Sequence, residues 1–208
     1  MFDFAYYISS RILEFEGTKA NLVASGIVTF IVIFSVIIIG AIANKIEQWQ
    51  MRFLGRFFKP KTVMFMCNYL TCVGTVLHEL AHATMGWMMG AEITGIRVLE
   101  INREDGRLGH VNFKTKGKKL QQKYQIVFIS CAPVISGCLL VYLLFKAVLY
   151  GGLDIGWRLV GWYYIISIID HMSMSSVDIK NYVKGIFHVA VVVFFAAWLI
   201  TYLFVPKV

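Results

Sequence analysis

Charge is scarce in this sequence. Asp, Glu, Lys and Arg make up 15% of the 208 residues while 58% are hydrophobic, and the mean hydropathy is +0.68. That balance excludes an ordinary soluble domain and fits a chain that crosses a membrane several times. Cys67, Cys72, Cys131 and Cys138 lie inside apolar stretches and form no C-x-x-C pair, which excludes a disulfide framework and a cysteine zinc site. Internal repeats and pairs of broken helices in matching halves, the marks of a transporter, are also lacking. The 208 residues hold no separate soluble recognition domain, so substrate or partner selection is expected from the membrane part itself or from other proteins.

The net charge of +8 invites a nucleic-acid reading. Yet the Lys and Arg residues sit largely in short loops between apolar runs, where such residues set topology and meet anionic headgroups. The expected partner is the lipid bilayer and not nucleic acid.

The apolar runs predict an α-helical polytopic membrane protein of about five transmembrane helices. Residues 1–60 read as an interfacial helix to about Lys19, a first span at about 21–43, and a basic, aromatic interfacial piece that runs from Lys45 to Pro60. The first span ends in Ala41-Ile42-Ala43, which mimics a signal-peptidase site. The run is longer than a signal h-region, so a retained span is expected. Residues 61–185 form the core: a second span at about 61–90, a third at about 124–150 and a fourth from about Trp157 to Asp178. Lys180 and Lys184 then close a short loop, and a fifth span occupies about 186–205 of the C-terminal piece 186–208. Between the second and third spans, 93–101 and 107–113 are β-rich runs joined by a segment containing Asp105-Gly106, a hairpin signal. A small β-hairpin at 91–113 is therefore predicted, and an edge strand there can pair with an extended substrate backbone.

The stretch that carries chemistry is His78-Glu79-Leu80-Ala81-His82 in the second span. On a helix His78 and His82 project from one face, where two imidazoles bind one metal ion, and Glu79 reaches a water on that ion without being a ligand. Asn68, Thr71 and Thr75 precede them at helical spacing, so a polar stripe on an apolar helix turns inward. A catalytic zinc takes three protein ligands and leaves a position open for water. Asp178, His171 and Asp170 are the candidates for the third. At 1.5 Å per residue His82 lies about 30 Å into its span and Asp178 about 30 Å into a parallel one, which favours Asp178. His171, seven residues earlier on the same helical face, is expected either to hydrogen-bond a ligand from behind or to be an alternative ligand, and Asp170 ranks behind it. His188 reads as a packing or interfacial residue.

Pro133, inside the small-residue segment Ser130-Cys131-Ala132-Pro133-Val134-Ile135-Ser136-Gly137, kinks the third span and frees a carbonyl that needs a partner. These features together resemble the site-2 protease family of intramembrane zinc metalloproteases: the H-E-x-x-H in a span, the hairpin after it, the proline segment in the next span, and an acidic residue after that. The resemblance covers roughly residues 61–185. Two departures stand out. The family often has Gly-Pro-x-x-Asn where this chain has Ala132-Pro133-Val134-Ile135-Ser136, and its third ligand is usually followed by Gly where Asp178 is followed by Ile179. Ser175-Ser176-Val177-Asp178 is similar to the Ser-x-x-Asp form of small, divergent bacterial members.

The resemblance implies hydrolysis of a peptide bond within or next to the membrane. Zinc would be held by His78, His82 and Asp178, Glu79 would be the general base, and a membrane protein or peptide would be the substrate. It also implies a bacterial cytoplasmic membrane. With the N-terminus inside, 12 Lys and Arg fall on the inner side and 8 on the outer, so the site is expected to open toward the cytoplasm. The alternatives are a non-proteolytic metal-binding sensor or transporter and a pseudo-protease that binds a partner; an intact Glu79 gives the last no support.

Overall fold

The structure is a computed structural model that describes residues 1–12, 17–101 and 108–204. Among the described residues the chain forms seven α-helices, two π-helical turns and one hairpin. Helix α1 (Phe2–Tyr7) continues into a π-helical turn, and Ala5 and Tyr6 pack with Ala20, Ala24, Val28 and Ala197.

Helix α2 (Gly17–Leu54) is a single rod of 38 residues. The basic, aromatic piece expected as a separate interfacial segment is thus, as far as Leu54, the continuation of the first span. The physical reason is local: residues 41–54 contain neither Gly nor Pro, and the first breakers are Gly55 and Pro60.

The motif-bearing span is broken rather than straight. Helix α3 (Pro60–Phe65) widens into a π-helical turn at Met66–Leu70, the chain breaks at Thr71, and α4 (Cys72–Met88) leaves at an angle of 57°. The break is supported from helix α6 (Ile155–His171). The Tyr163 hydroxyl donates to the Leu70 carbonyl at 2.9 Å, and Ser167 Oγ donates to the Thr71 carbonyl at 2.8 Å while accepting from the Gly74 N–H at 2.9 Å. Backbone groups that a kink releases in an apolar setting are thereby satisfied by side chains of the neighbouring helix. Gly74 is required there, since a Cβ would overlap the Ser167 carbonyl.

Strands β1 (Glu92–Ile101) and β2 (Leu108–Lys114) pair antiparallel, with Glu92 opposite Lys114 and Arg97 opposite His110. The predicted hairpin is present; its Asp105-Gly106 turn lies outside the described residues. Helix α5 (Lys119–Tyr150) carries Pro133 in its interior.

Helix α6 (Ile155–His171) is capped by Asp154, whose carboxylate accepts from the Trp157 N–H. It ends at His171, short of the expected Asp178. After residues 172–175 helix α7 (Ser176–Phe204) runs unbroken through Lys180 and Lys184, where a loop was expected. The Ser175-x-x-Asp178 spacing explains this start. Ser175 Oγ accepts from the Asp178 N–H at 3.0 Å and Asp178 Oδ2 accepts from the Ser175 N–H at 3.0 Å, the reciprocal pattern of a helix N-terminus.

Three helices, α2, α5 and α7, are long and apolar enough to cross a membrane, and the bent α3–α4 pair makes a fourth if it counts as one span. Large apolar side chains on their outer faces, among them Phe30, Ile38, Leu139 and Phe195, are exposed, as helices in contact with lipid require. Inside, α2, α5 and α7 meet through Ile33, Val127, Val134, Tyr182 and Val189. Helix α4 packs between α5 and α6 and against the hairpin.

Candidate metal centre

The two histidines of α4 stand one turn apart with their Nε2 atoms 3.1 Å from each other. Each ring is oriented from behind by a main-chain carbonyl. His82 Nδ1–H donates to the Ile129 carbonyl at 2.8 Å. Ile129 lies four residues before Pro133, so its carbonyl is the one deprived of a helical N–H by the proline. His78 Nδ1–H donates to the His171 carbonyl at 2.5 Å, a group left open because α6 ends there. A helix interrupted by proline and a helix that stops early supply the two acceptors.

The third corner comes from the first turn of α7. Asp178 Oδ2 is 3.8 Å from His82 Nε2, and ligand atoms of His78, His82 and Asp178 all lie within 4.8 Å of one another. Asp178 therefore joins the histidines from the start of the last helix and not from the end of the fourth span, so the depth comparison that favoured it rested on a placement the fold does not have. Its Oδ2 atom also accepts from the Ser175 N–H at 3.0 Å, so the turn that begins α7 aims the carboxylate.

The donor set fits a cation. Carbonyls only accept, so both Nδ1 atoms carry their protons, and in neutral rings both Nε2 atoms present lone pairs toward each other and toward a carboxylate. Three acceptors that converge in this way repel unless a positive charge lies between them. Two ligands of a tetrahedral zinc, each about 2.0–2.1 Å from the ion, stand about 3.3 Å apart, between the 3.1 and 3.8 Å separations here. The cluster can hold a metal ion.

No protein-family model, curated protein or solved structure matches this chain. What the centre can do is read from its own residues.

A cavity of about 540 Å³ opens beside it, lined by α4, α6, the start of α7, Glu47 of α2 and Gly109 through Phe113 of β2. Glu79 is buried and faces this space. Gly109, at φ +91°, sits directly on it: a Cβ there would lie 3.0 Å from Glu79 Cγ and 3.0 Å from the Arg97 carbonyl. The hairpin is thus more than a lid on the bundle, because its second strand forms a wall of the site.

His171 lines the cavity, but it serves His78 through its backbone; its own Nδ1 meets the Ser167 carbonyl at 3.1 Å. Asp170 lines the cavity outside the group of three. Of the polar stripe, Asn68 and Thr75 reach the cavity, whereas Thr71 stays at the break with its hydroxyl on the Cys67 carbonyl. His188 lies away from the site on α7, and the four cysteines are free. Sequence reasoning missed Glu47, His110, Ser175 and Asn181 as lining residues. For Ser175 the signal was present, because Ser-x-x-Asp before an apolar run marks a helix start.

Proposed function

We propose that this protein is a membrane-embedded zinc metalloprotease, similar to the site-2 proteases, that hydrolyses a peptide bond within or next to a transmembrane segment of a membrane protein. The observation that carries this reading is the meeting of His78, His82 and Asp178 in one cavity with Glu79 and with strand β2. Catalysis needs a metal site, a base and a place for an extended chain together, and these residues supply all three.

Among the described residues β2 pairs only with β1, and its residues Gly109–113 line the cavity. A substrate helix has its backbone groups paired internally and must unwind before its bond can be attacked. Strand β2 then offers main-chain groups to the unwound segment. Zinc, when bound, supplies a Lewis acid for the scissile carbonyl and an acidified water. The Glu79 carboxylate takes the proton of the attacking water and passes it to the leaving amine nitrogen. Burial of Glu79 against Gly109 keeps that carboxylate in one place.

The same reading takes the bent α3–α4 pair as one span beside α2, α5 and α7. It takes the membrane to be a bacterial cytoplasmic membrane; the 12 to 8 bias of Lys and Arg assumed a loop at Lys180 and Lys184, which are helical here. The test is proteolysis of transmembrane peptides by detergent-purified, zinc-loaded protein beside Glu79→Gln. We expect cleavage by the wild type and a loss of at least about 10²-fold in the variant, with zinc retained in both. Equal cleavage by the two proteins would remove Glu79, and with it this mechanism.

A further inference from the structure

The groups given a role at the metal centre so far are acceptors. His78 Nε2, His82 Nε2 and the Asp178 carboxylate converge, and the Glu79 carboxylate stands in the same cavity. Hydrolysis of a peptide bond also asks for the opposite. When water adds to the scissile carbonyl, the carbonyl π pair moves onto its oxygen, which becomes an oxyanion, and the water gives a proton to Glu79. A fixed N–H or O–H donor beside that oxygen is worth about 10²–10³-fold in rate. No Lys or Arg among the described residues lines the cavity, which leaves neutral groups, side-chain amides above all.

Three carboxamides line the space, those of Asn68, Asn112 and Asn181, and position separates them. Asn68 lies ten residues before His78, about 15 Å along a helix axis, on the far side of the break at Thr71. Asn112 lies three residues beyond Gly109, about 10 Å along β2, and is exposed. Asn181 follows Asp178 by three residues within α7, which puts the two Cβ atoms about 5–6 Å apart on one face. The turn that aims the Asp178 carboxylate through Ser175 therefore also fixes Asn181. Polar atoms shut off from solvent without a partner occur elsewhere around the cavity, on Asp170 and Thr75. Asn181 is only partly buried, and no other described residue engages its side chain. Its amide is open to the space it lines.

We infer that Asn181 is a second catalytic residue, whose carboxamide N–H donates to the oxyanion formed from the scissile carbonyl. The inference rests on the protease reading for the reaction, but the donor itself can be measured by binding alone. Asn181 gives no proton away. Its N–H stays on the oxyanion while Glu79 passes the proton it took to the amine nitrogen, the C–N bond breaks with its electron pair on that nitrogen, and the carbonyl re-forms as part of a carboxyl group. One face of α7 thus carries both a ligand and a donor. The amide favours the charged tetrahedral state over the neutral peptide, because a hydrogen bond to a full negative charge is about twice as strong as one to a neutral carbonyl.

The experiment uses a fluorescent leucine-rich peptide in which a phosphinic group, a tetrahedral anion, replaces the central amide. Its counterpart keeps the amide and is measured on Glu79→Gln protein, so that it is not cut. Binding to zinc-loaded protein in detergent micelles is followed by anisotropy. Asn181→Ala and the same-shaped Asn181→Asp should each weaken the phosphinic peptide by about 10²-fold. The amide peptide should change by less than about threefold, with zinc content unaltered. Asn181→Asp decides the matter if Asn181→Ala fails to fold by circular dichroism. Unchanged binding of the phosphinic peptide, equal weakening of both peptides, or loss of zinc overturns the inference. So does a selective loss in His110→Ala or Ser173→Ala with Asn181→Ala unaffected, which gives the oxyanion to another group on the cavity wall. Hydrolysis of the amide peptide by the wild type separates the two ideas. Selective weakening without any hydrolysis upholds the donor and removes the protease, whereas hydrolysis that survives Asn181→Ala at the wild-type rate upholds the protease and removes the donor.

Discussion

Replacing Pro133 by alanine asks whether the metal centre depends on a missing hydrogen bond. Alanine restores an N–H at position 133, and that N–H is directed at the Ile129 carbonyl, which now accepts from His82 Nδ1–H at 2.8 Å. The helix should gain, since proline in a helix interior is disfavoured relative to alanine by up to about 3 kcal/mol. The histidine should lose. Sharing or losing its acceptor removes about 1–1.5 kcal/mol of orientation, which corresponds to about a tenfold weaker zinc affinity, at the low end of what an outer-shell partner usually contributes. The signs are opposite, and that separates this account from ordinary damage. Thermal melting of the metal-free protein should show an unchanged or raised midpoint, while competition against a fluorescent chelator should show the weaker zinc binding. A Pro133→Ala protein whose zinc affinity stays within twofold of the wild type would refute the claim that the freed carbonyl sets the His82 ring.

Three further outcomes follow from the same geometry. Asp178→Ala should lose zinc by at least about 10²-fold, while His171→Ala and Asp170→Ala should keep it, because His171 acts through its carbonyl and Asp170 stands outside the ligand group; metal analysis of the purified variants decides. Ser175→Ala removes both the cap of α7 and a hydrogen bond to the Asp178 carboxylate, so stability should fall by about 1 kcal/mol in a denaturation series and zinc should dissociate faster. Gly109→Ala puts a side chain at φ +91° and against Glu79, so stability should fall by about 1–3 kcal/mol and peptide hydrolysis should fall with zinc content unchanged, as kinetics alongside metal analysis would show.

Much of this protein was legible in one dimension because the signals were periodic or local. Scarce charge and long apolar runs imposed membrane-like helices, the i, i+4 spacing of His78 and His82 required one helical face, and the alternating runs beside Asp105-Gly106 announced the hairpin. Pro133 announced an unsatisfied carbonyl without saying who would use it. The last two helices were misjudged because a 3.6-residue pattern does not change where one apolar helix stops and another begins. Only the short capping signal at Ser175 marked that boundary.

The sequence by itself determined which side chains could be ligands and which peptide groups would lack partners, since both follow from residue type and spacing. Tertiary structure alone decided how these needs were matched. The end of α6 met His78, the proline gap in α5 met His82, the start of α7 delivered Asp178, and β2 closed over Glu79. Each is a contact between elements far apart in the chain, and such pairings are set by how helices pack in space, which no local pattern encodes.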